Sequence, residues 1–180
     1  MMQDLDVTFQ DEHLVKSKKT RYDQRNVQSY DEMNLKEELL RGIYAYGMEK
    51  PSPIQQRVIL PIVTSEPPID VVVQAQSGTG KTLAFVISML ERLEISQFAQ
   101  LQGLILCPTR ELALNIHHVI VSVGEYMNVR AHACVGGFAM QHDIDKLKEG
   151  MHIDRNARTC TNIASKWSLG FFQHQDAGCG

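Results

Sequence analysis

The 180-residue chain has room for about one domain, so a two-domain machine does not fit within it. With 43% hydrophobic and 22% charged residues it has the composition of an ordinary globular protein, which argues against wholesale disorder. The formal net charge of -3 lacks the basic signature of most duplex-DNA binders, so any contact with nucleic acid must be local.

Residues 1–28 are polar and aperiodic and are expected to form a flexible N-terminal arm. Their basic cluster, Lys16, Lys18, Lys19 and Arg21, reads either as a solvated charge run or as a contact for RNA. The opening has no apolar segment of the secretory type, and no run approaches a membrane span, so no membrane partner is expected. The cysteines Cys107, Cys134, Cys160 and Cys179 form no C-x-x-C pair. Free thiols in a reducing, intracellular setting (cytoplasm or nucleus) follow, with Cys107 and Cys134 buried as small hydrophobes.

A helix is predicted from Asn34, which can cap it, through Leu35, Leu39, Leu40 and Ile43 at helical spacing, until Gly47 stops it. Another begins at Ser52, with Pro53 at its first position and Gln55 completing a capping box. The adjacent Pro67 and Pro68 mark a loop, and a buried strand is expected at residues 71–74. Leu83, Val86, Ile87, Leu90 and Leu93 then trace one helix face. A strand at 103–107, a helix at 110–123, a strand at 130–135 and a helix through Ile144, Leu147 and Lys148 follow. This alternation predicts an α/β fold with a parallel sheet flanked by helices. Residues 154–180 follow neither period and carry no assigned element.

Between the strand at 71–74 and the next helix stand Ala75, Gln76, Ser77, Gly78, Thr79, Gly80, Lys81 and Thr82, the setting of a phosphate-binding loop. Gly78 and Gly80 let successive N–H groups turn inward, toward the point where the helix presents its positive end. Lys81 can reach terminal phosphates, and the Thr82 hydroxyl can hold Mg²⁺. Ala75 misses the general motif's leading Gly, so turn chemistry alone stays an alternative.

Around this loop, over residues 29–153, the chain resembles the DEAD-box RNA helicases, most closely the group of translation initiation factor 4A and its exon-junction relative. That family writes its loop with Ala first, as here. The resemblance implies a partial RecA-like P-loop domain without its later strands, followed by a divergent tail at 154–180. Residues 47–55 look like the family's adenine-reading Q motif, with Tyr30 seventeen positions ahead of Gly47 where the family places an aromatic. Gln55 could then read adenine with both ends of its amide, a role it can share with the capping box. Met48 stands where the family has an aromatic to stack on the base, which implies weaker nucleotide binding.

Residues 108–113 match the family's RNA-backbone motif. Thr109 and a helix start can bind a phosphate, with Pro108 at the turn and Arg110 adding charge that reads no base; alternatively, Thr109 only caps the helix. Gly136 and Gly137 match a glycine pair that lets a sugar-phosphate chain come close. The implied cofactors are ATP and Mg²⁺. The implied partners are RNA, held by its backbone, and translation-initiation or exon-junction proteins.

Asp11-Glu12 and Asp31-Glu32 are the only Asp-Glu pairs, and both precede the loop. The family's Asp-Glu-Ala-Asp, Thr-Pro-Gly-Arg and Ser-Ala-Thr motifs do not occur, and neither does its second RecA-like domain. Without carboxylates to fix Mg²⁺ and the attacking water, this chain is expected to bind ATP but not to hydrolyse it or to unwind RNA alone. A non-catalytic fragment that captures ATP, RNA or a helicase partner is the competing reading. A kinase or GTPase would leave Gln55 and residues 108–113 without purpose.

Overall fold

The computed structural model describes residues 6–10, 27–95, 101–135, 145 and 150–156. The chain divides into two compact units, Met1–Arg92 and Leu93–Gly180.

In the first unit, strand β1 (Asp6–Gln10) precedes a 3-10 turn (Asp31–Met33), helices α1 (Glu37–Ala45) and α2 (Pro53–Thr64), strand β2 (Asp70–Gln74) and helix α3 (Lys81–Arg92). Asn34 does not cap α1: it adopts a left-handed conformation (φ 51°) that ends the 3-10 turn, and the helix starts three residues later. The first turn of α1 finds an acceptor elsewhere, as the Lys36 N–H donates to Glu91 Oε2 at 2.8 Å and the Lys36 ammonium donates to the Glu91 carbonyl. At its other end, Met48 N–H donates to the Ile43 carbonyl and Gly47 N–H to that of Tyr44, around Gly47 at φ +92°. This is the Schellman closure that a glycine permits.

The capping box of α2 forms as expected, with Ser52 and Gln55 bonding reciprocally and Pro53 at the first position. Ile54, Val58, Ile59 and Ile62 of α2 are buried, as are Leu83, Val86, Ile87 and Leu90 of α3. Each such side chain contributes roughly 1.5–3 kcal/mol on leaving water, so the pairing of these two helices contributes a large share of the cohesion in this unit. The Arg92 guanidinium closes the far end by donating to the carbonyls of Ile62 (2.7 Å) and Ser65 (3.4 Å), groups that the last turn of α2 leaves without helical partners.

The strand before the phosphate loop departs from expectation. It is half-buried at alternate residues, with Val72 55% exposed, and it pairs antiparallel with β1, from Asp6 opposite Gln74 to Gln10 opposite Asp70. A strand is buried at every residue only when both faces of its sheet are covered, whereas alternate residues of β2, in a two-stranded sheet with β1, are exposed. The stretch read as an arm thus contributes a strand.

The second unit holds β3 (Gly103–Leu106), α4 (Arg110–Val123), a 3-10 turn (Glu125–Met127), β4 (Ala131–Cys134) and β5 (Ile153–Asn156). The strands form a parallel sheet in the order β3-β5-β4, and Gly103 and Ala131 both face Ile153. The expected parallel sheet is present, built from these three strands rather than around β2. β5 runs into the stretch given no element. Its Ile-Asp-Arg-Asn sequence has one apolar residue, so its place rests on backbone pairing to two neighbours, which leaves no hydrophobic period to read. The helix expected through Ile144, Leu147 and Lys148 lies outside the described residues. Buried Ala113, Ile116, Ile120 and Val123 mark the inner face of α4, and Cys107 and Cys134 are buried thiols outside any disulfide. Among the described residues no helix is long and apolar enough to cross a membrane.

His152 joins the strand starts: its backbone N–H donates to the Arg130 carbonyl, its own carbonyl accepts from Gln102 and Gly103, and its ring Nδ1 accepts the Arg130 N–H at 3.1 Å. Burial, and then the Arg130 charge, hold its pKa below the usual histidine value. The unfolded chain therefore binds a proton more readily than the folded one. Stability from this site is present above the unfolded value of about 6.5 and lost as pH falls through the folded value. Denaturant midpoints should drop with acid in that window, and His152→Asn should flatten the slope; an unchanged slope would contradict this role.

Candidate nucleotide-binding site

β2 delivers the chain into residues 75–82, and α3 begins at Lys81. Gly78 and Gly80 take φ +81° and +95°, the region that L side chains avoid, so the backbone can reverse between strand and helix. The Gly80 carbonyl accepts the first helical bond from Ala84 N–H at 3.0 Å, leaving the amides of Lys81, Thr82 and Leu83 at the positive end of a 12-residue helix. The Lys81 ammonium crosses the loop to the carbonyls of Ala75 (2.6 Å) and Gln76 (2.7 Å), and the Thr79 hydroxyl donates to Gln76 O at 2.8 Å. Gln76, Ser77 and Gly78 are exposed, and a Cβ on Gly78 would meet nothing within 4 Å. Thr82 lies half-buried on the first turn of α3. A loop of open glycine backbone, helix-start amides and one ammonium suits a polyphosphate. Among the described residues no trio of His, Cys, Asp or Glu could hold a metal; the Thr82 hydroxyl is an oxygen of the kind a phosphate-bound Mg²⁺ takes.

Gln55 reaches this loop from α2. Its Oε1 accepts from Ser52 N–H and from the Tyr30 hydroxyl, both at 2.8 Å, while Nε2 donates to the Gly80 carbonyl at 3.3 Å. The side chain is 3% exposed, and both lone pairs of its oxygen are engaged. The capping-box geometry is therefore realised, and one N–H of the amide stays unassigned among the described residues. The acceptor half of the two-ended adenine contact is already occupied. Tyr30 is fully buried, its ring edge-on to Tyr44 at 6.3 Å, and burial pushes its hydroxyl up to about 12, with Tyr44 adding to the shift. Tyr30 thus stands behind Gln55 instead of lining the loop. Met48 is half-buried beside Gly47.

Two participants were not singled out for this site from sequence. A Cβ on Gly80 would lie 2.7 Å from Gln55 Nε2 and 3.0 Å from Ser52 Oγ, so Ser52 bounds the loop as well as capping α2. Tyr44, whose hydroxyl donates to the Asp31 carboxylate, steadies Tyr30. The capping-box pattern carried a trace of the first; nothing in the spacing pointed to the second.

In the second unit, Pro108, Thr109 and Arg110 are exposed where β3 passes into α4. The Thr109 hydroxyl accepts from Leu112 N–H at 3.2 Å, so it caps the helix. Thr109→Ala should cost about 1 kcal/mol, read as a lowered midpoint in urea unfolding; no change would remove the capping role. Gly136 and Gly137 lie outside the described residues.

The DEAD/DEAH box helicase family model matches residues 52–161. The ATP-dependent RNA helicase eIF4A of Pyricularia oryzae is 52% identical over 132 residues, which are 73% of this chain and 32% of that protein. The ATP-dependent RNA helicase FAL1 of Mycosarcoma maydis is 54% identical over 125 residues, 69% of this chain and 30% of that one. The chain spans about a third of the length of these relatives. Among solved structures, a DEAD box protein from Methanococcus jannaschii superposes with a TM-score of 0.64 at 29% identity, covering 72% of this chain and 35% of that one. Saccharomyces cerevisiae Dbp5 bound to RNA and ADP BeF3 shares the fold, with a TM-score of 0.58 at 23% identity over 83% of this chain and 52% of that one. With the family model matched over more than half its length, and with a partial RecA-like α/β fold, the chain belongs to the DEAD/DEAH box helicases, as an N-terminal part resembling eIF4A.

Proposed function

We propose that this chain binds ATP with Mg²⁺ at residues 75–82 and the backbone of single-stranded RNA at residues 108–113, with Gly136 and Gly137 allowing close approach. The observation that carries the reading is the loop itself: positive-φ glycines, helix-start amides and the Lys81 ammonium converge where β2 meets α3. The amides and Lys81 would hold the phosphates, and Thr82 the magnesium, whose charge offsets theirs. Gln55 would offer its remaining N–H to the base. This is a weaker adenine preference than a two-ended contact gives, and Met48 in the stacking position weakens it further.

At the second site, the helix-start amides of α4 and the exposed Arg110, beside the acidic Glu111, would meet the RNA backbone and not its bases, so RNA would be held irrespective of sequence. Its protein partners would be translation-initiation or exon-junction proteins, and the setting would be the cytoplasm or the nucleus.

In relatives of this mechanism, turnover needs carboxylates that fix Mg²⁺ and water, and this sequence has no Asp-Glu pair after the loop. A capture role without turnover is therefore the second reading for the 180-residue chain. The test is phosphate release by the purified chain with ATP, Mg²⁺ and single-stranded RNA. Background release with retained ATP and RNA binding is expected; RNA-stimulated turnover that Lys81→Ala removes would overturn the non-catalytic assignment.

A further inference from the structure

The buried tyrosine behind the loop has no part in the nucleotide contacts described so far. Tyr30 is wholly excluded from solvent, so its ring offers no face to a base. Its hydroxyl nevertheless ends 2.8 Å from Gln55 Oε1, and the same amide continues through Nε2 to the carbonyl of Gly80, the residue just before α3. We propose that Tyr30 is a positioning residue for the phosphate loop, acting through Gln55 on Gly80. The proposal rests on the assignment of nucleotide binding to residues 75–82.

The polarity of the relay follows from its partners. Ser52 N–H can only donate and the Gly80 carbonyl can only accept, so the amide oxygen must face Ser52 and the amide nitrogen Gly80. The Tyr30 hydroxyl then donates into the second lone pair of that oxygen. Its raised pKa keeps the proton in place throughout the neutral range. The tyrosine is itself anchored by the edge-on ring of Tyr44, which is tied to Asp31 at the 3-10 turn. The result is a path of side chains from the turn at Asp31–Met33 to Gly80, the residue just before α3. Without the hydroxyl, the amide is held by Ser52 alone on its oxygen side, and the Gly80 carbonyl gains freedom to tilt. The amides that follow it would tilt too, and these are the groups aimed at the phosphates.

Tyr30→Phe keeps the buried ring and removes only the donor. Loss of one hydrogen bond from the relay should weaken nucleotide binding by about three- to tenfold. Because the loop amides are affected, the loss should appear with inorganic tripolyphosphate and GTP as well as with ATP, and any excess for ATP reports the Gln55 contact with its base. In a Gln55→Ala background, where the relay is already cut, Tyr30→Phe should change nothing further. The Gln55 side-chain NH₂ resonances, followed by NMR in ligand-free protein, should shift in Tyr30→Phe while the melting temperature moves by a few degrees at most. Unchanged tripolyphosphate affinity in Tyr30→Phe, a loss confined to adenine nucleotides, or additive losses in the double variant would each overturn the positioning role. If the parent chain binds none of the three ligands, the nucleotide assignment fails on its own. The NH₂ resonances then still decide the link between Tyr30 and Gln55, and an unmoved signal rejects it.

Discussion

Lys81→Ala is expected to lower the affinity of this chain for Mg²⁺-ATP by about a hundredfold, the upper end of what a hydrogen bond to a charged group contributes. Two effects combine in that number. The ammonium is the one cationic side chain placed on the loop, and it is held over it by the carbonyls of Ala75 and Gln76 at 2.6 and 2.7 Å. Removing it takes away both the charge for the phosphates and the strut from the start of α3 to the loop's first two residues. The side chain is half-buried, and its loss should cost little stability, so a competition assay with a fluorescent nucleotide can be read at unchanged fold. Lys81→Arg should not restore binding, because a planar fork cannot replace a compact ammonium bonded to two closely spaced carbonyls. Undiminished affinity in Lys81→Ala would remove the loop from the account.

The two loop glycines should respond very differently to alanine. Both have positive φ, at +81° for Gly78 and +95° for Gly80, so each substitution carries backbone strain of about 1 kcal/mol or more. At Gly78 nothing lies within 4 Å of the added methyl, and strain is the whole cost. At Gly80 the methyl would lie 2.7 Å from Gln55 Nε2 and 3.0 Å from Ser52 Oγ, two atoms fixed by the capping box. Relief requires breaking the amide's bond to the Gly80 carbonyl or opening the start of α2. Gly80→Ala should therefore destabilise the first unit by about 2–4 kcal/mol and abolish nucleotide binding. Gly78→Ala should retain measurable binding. Chemical denaturation of both variants, with binding measured on the folded fraction, checks the difference; equal losses would place the cause in φ alone.

The helices were legible because their signals are local. Ser52, Pro53 and Gln55 announce α2 within four residues, and the apolar positions of α3 at residues 83, 86, 87 and 90 are all buried. The strands were legible only where their sequence was apolar. β3, at Gly-Leu-Ile-Leu, was readable, whereas β5 depends on pairing with partners some 20 to 50 positions away and leaves one apolar residue as its trace. The pairing of β1 with β2 is invisible for the same reason, since the register between Asp6 and Gln74 is a property of two separate stretches. Asn34 shows the reverse failure: a good cap by type, it was needed to end the preceding turn. At the site, the motif residues were readable because each carries its own chemistry. The roles of Tyr30 and Gln55 were not fully readable, because which lone pair an amide has left depends on packing across 25 residues of chain.

Isothermal titration of the folded 180-residue chain with ATP, with and without Mg²⁺, tests the central assignment most directly. One saturable site is predicted, tighter with Mg²⁺ than without and competed by inorganic tripolyphosphate. A chain that melts cooperatively yet takes up no ATP at millimolar concentration would contradict it.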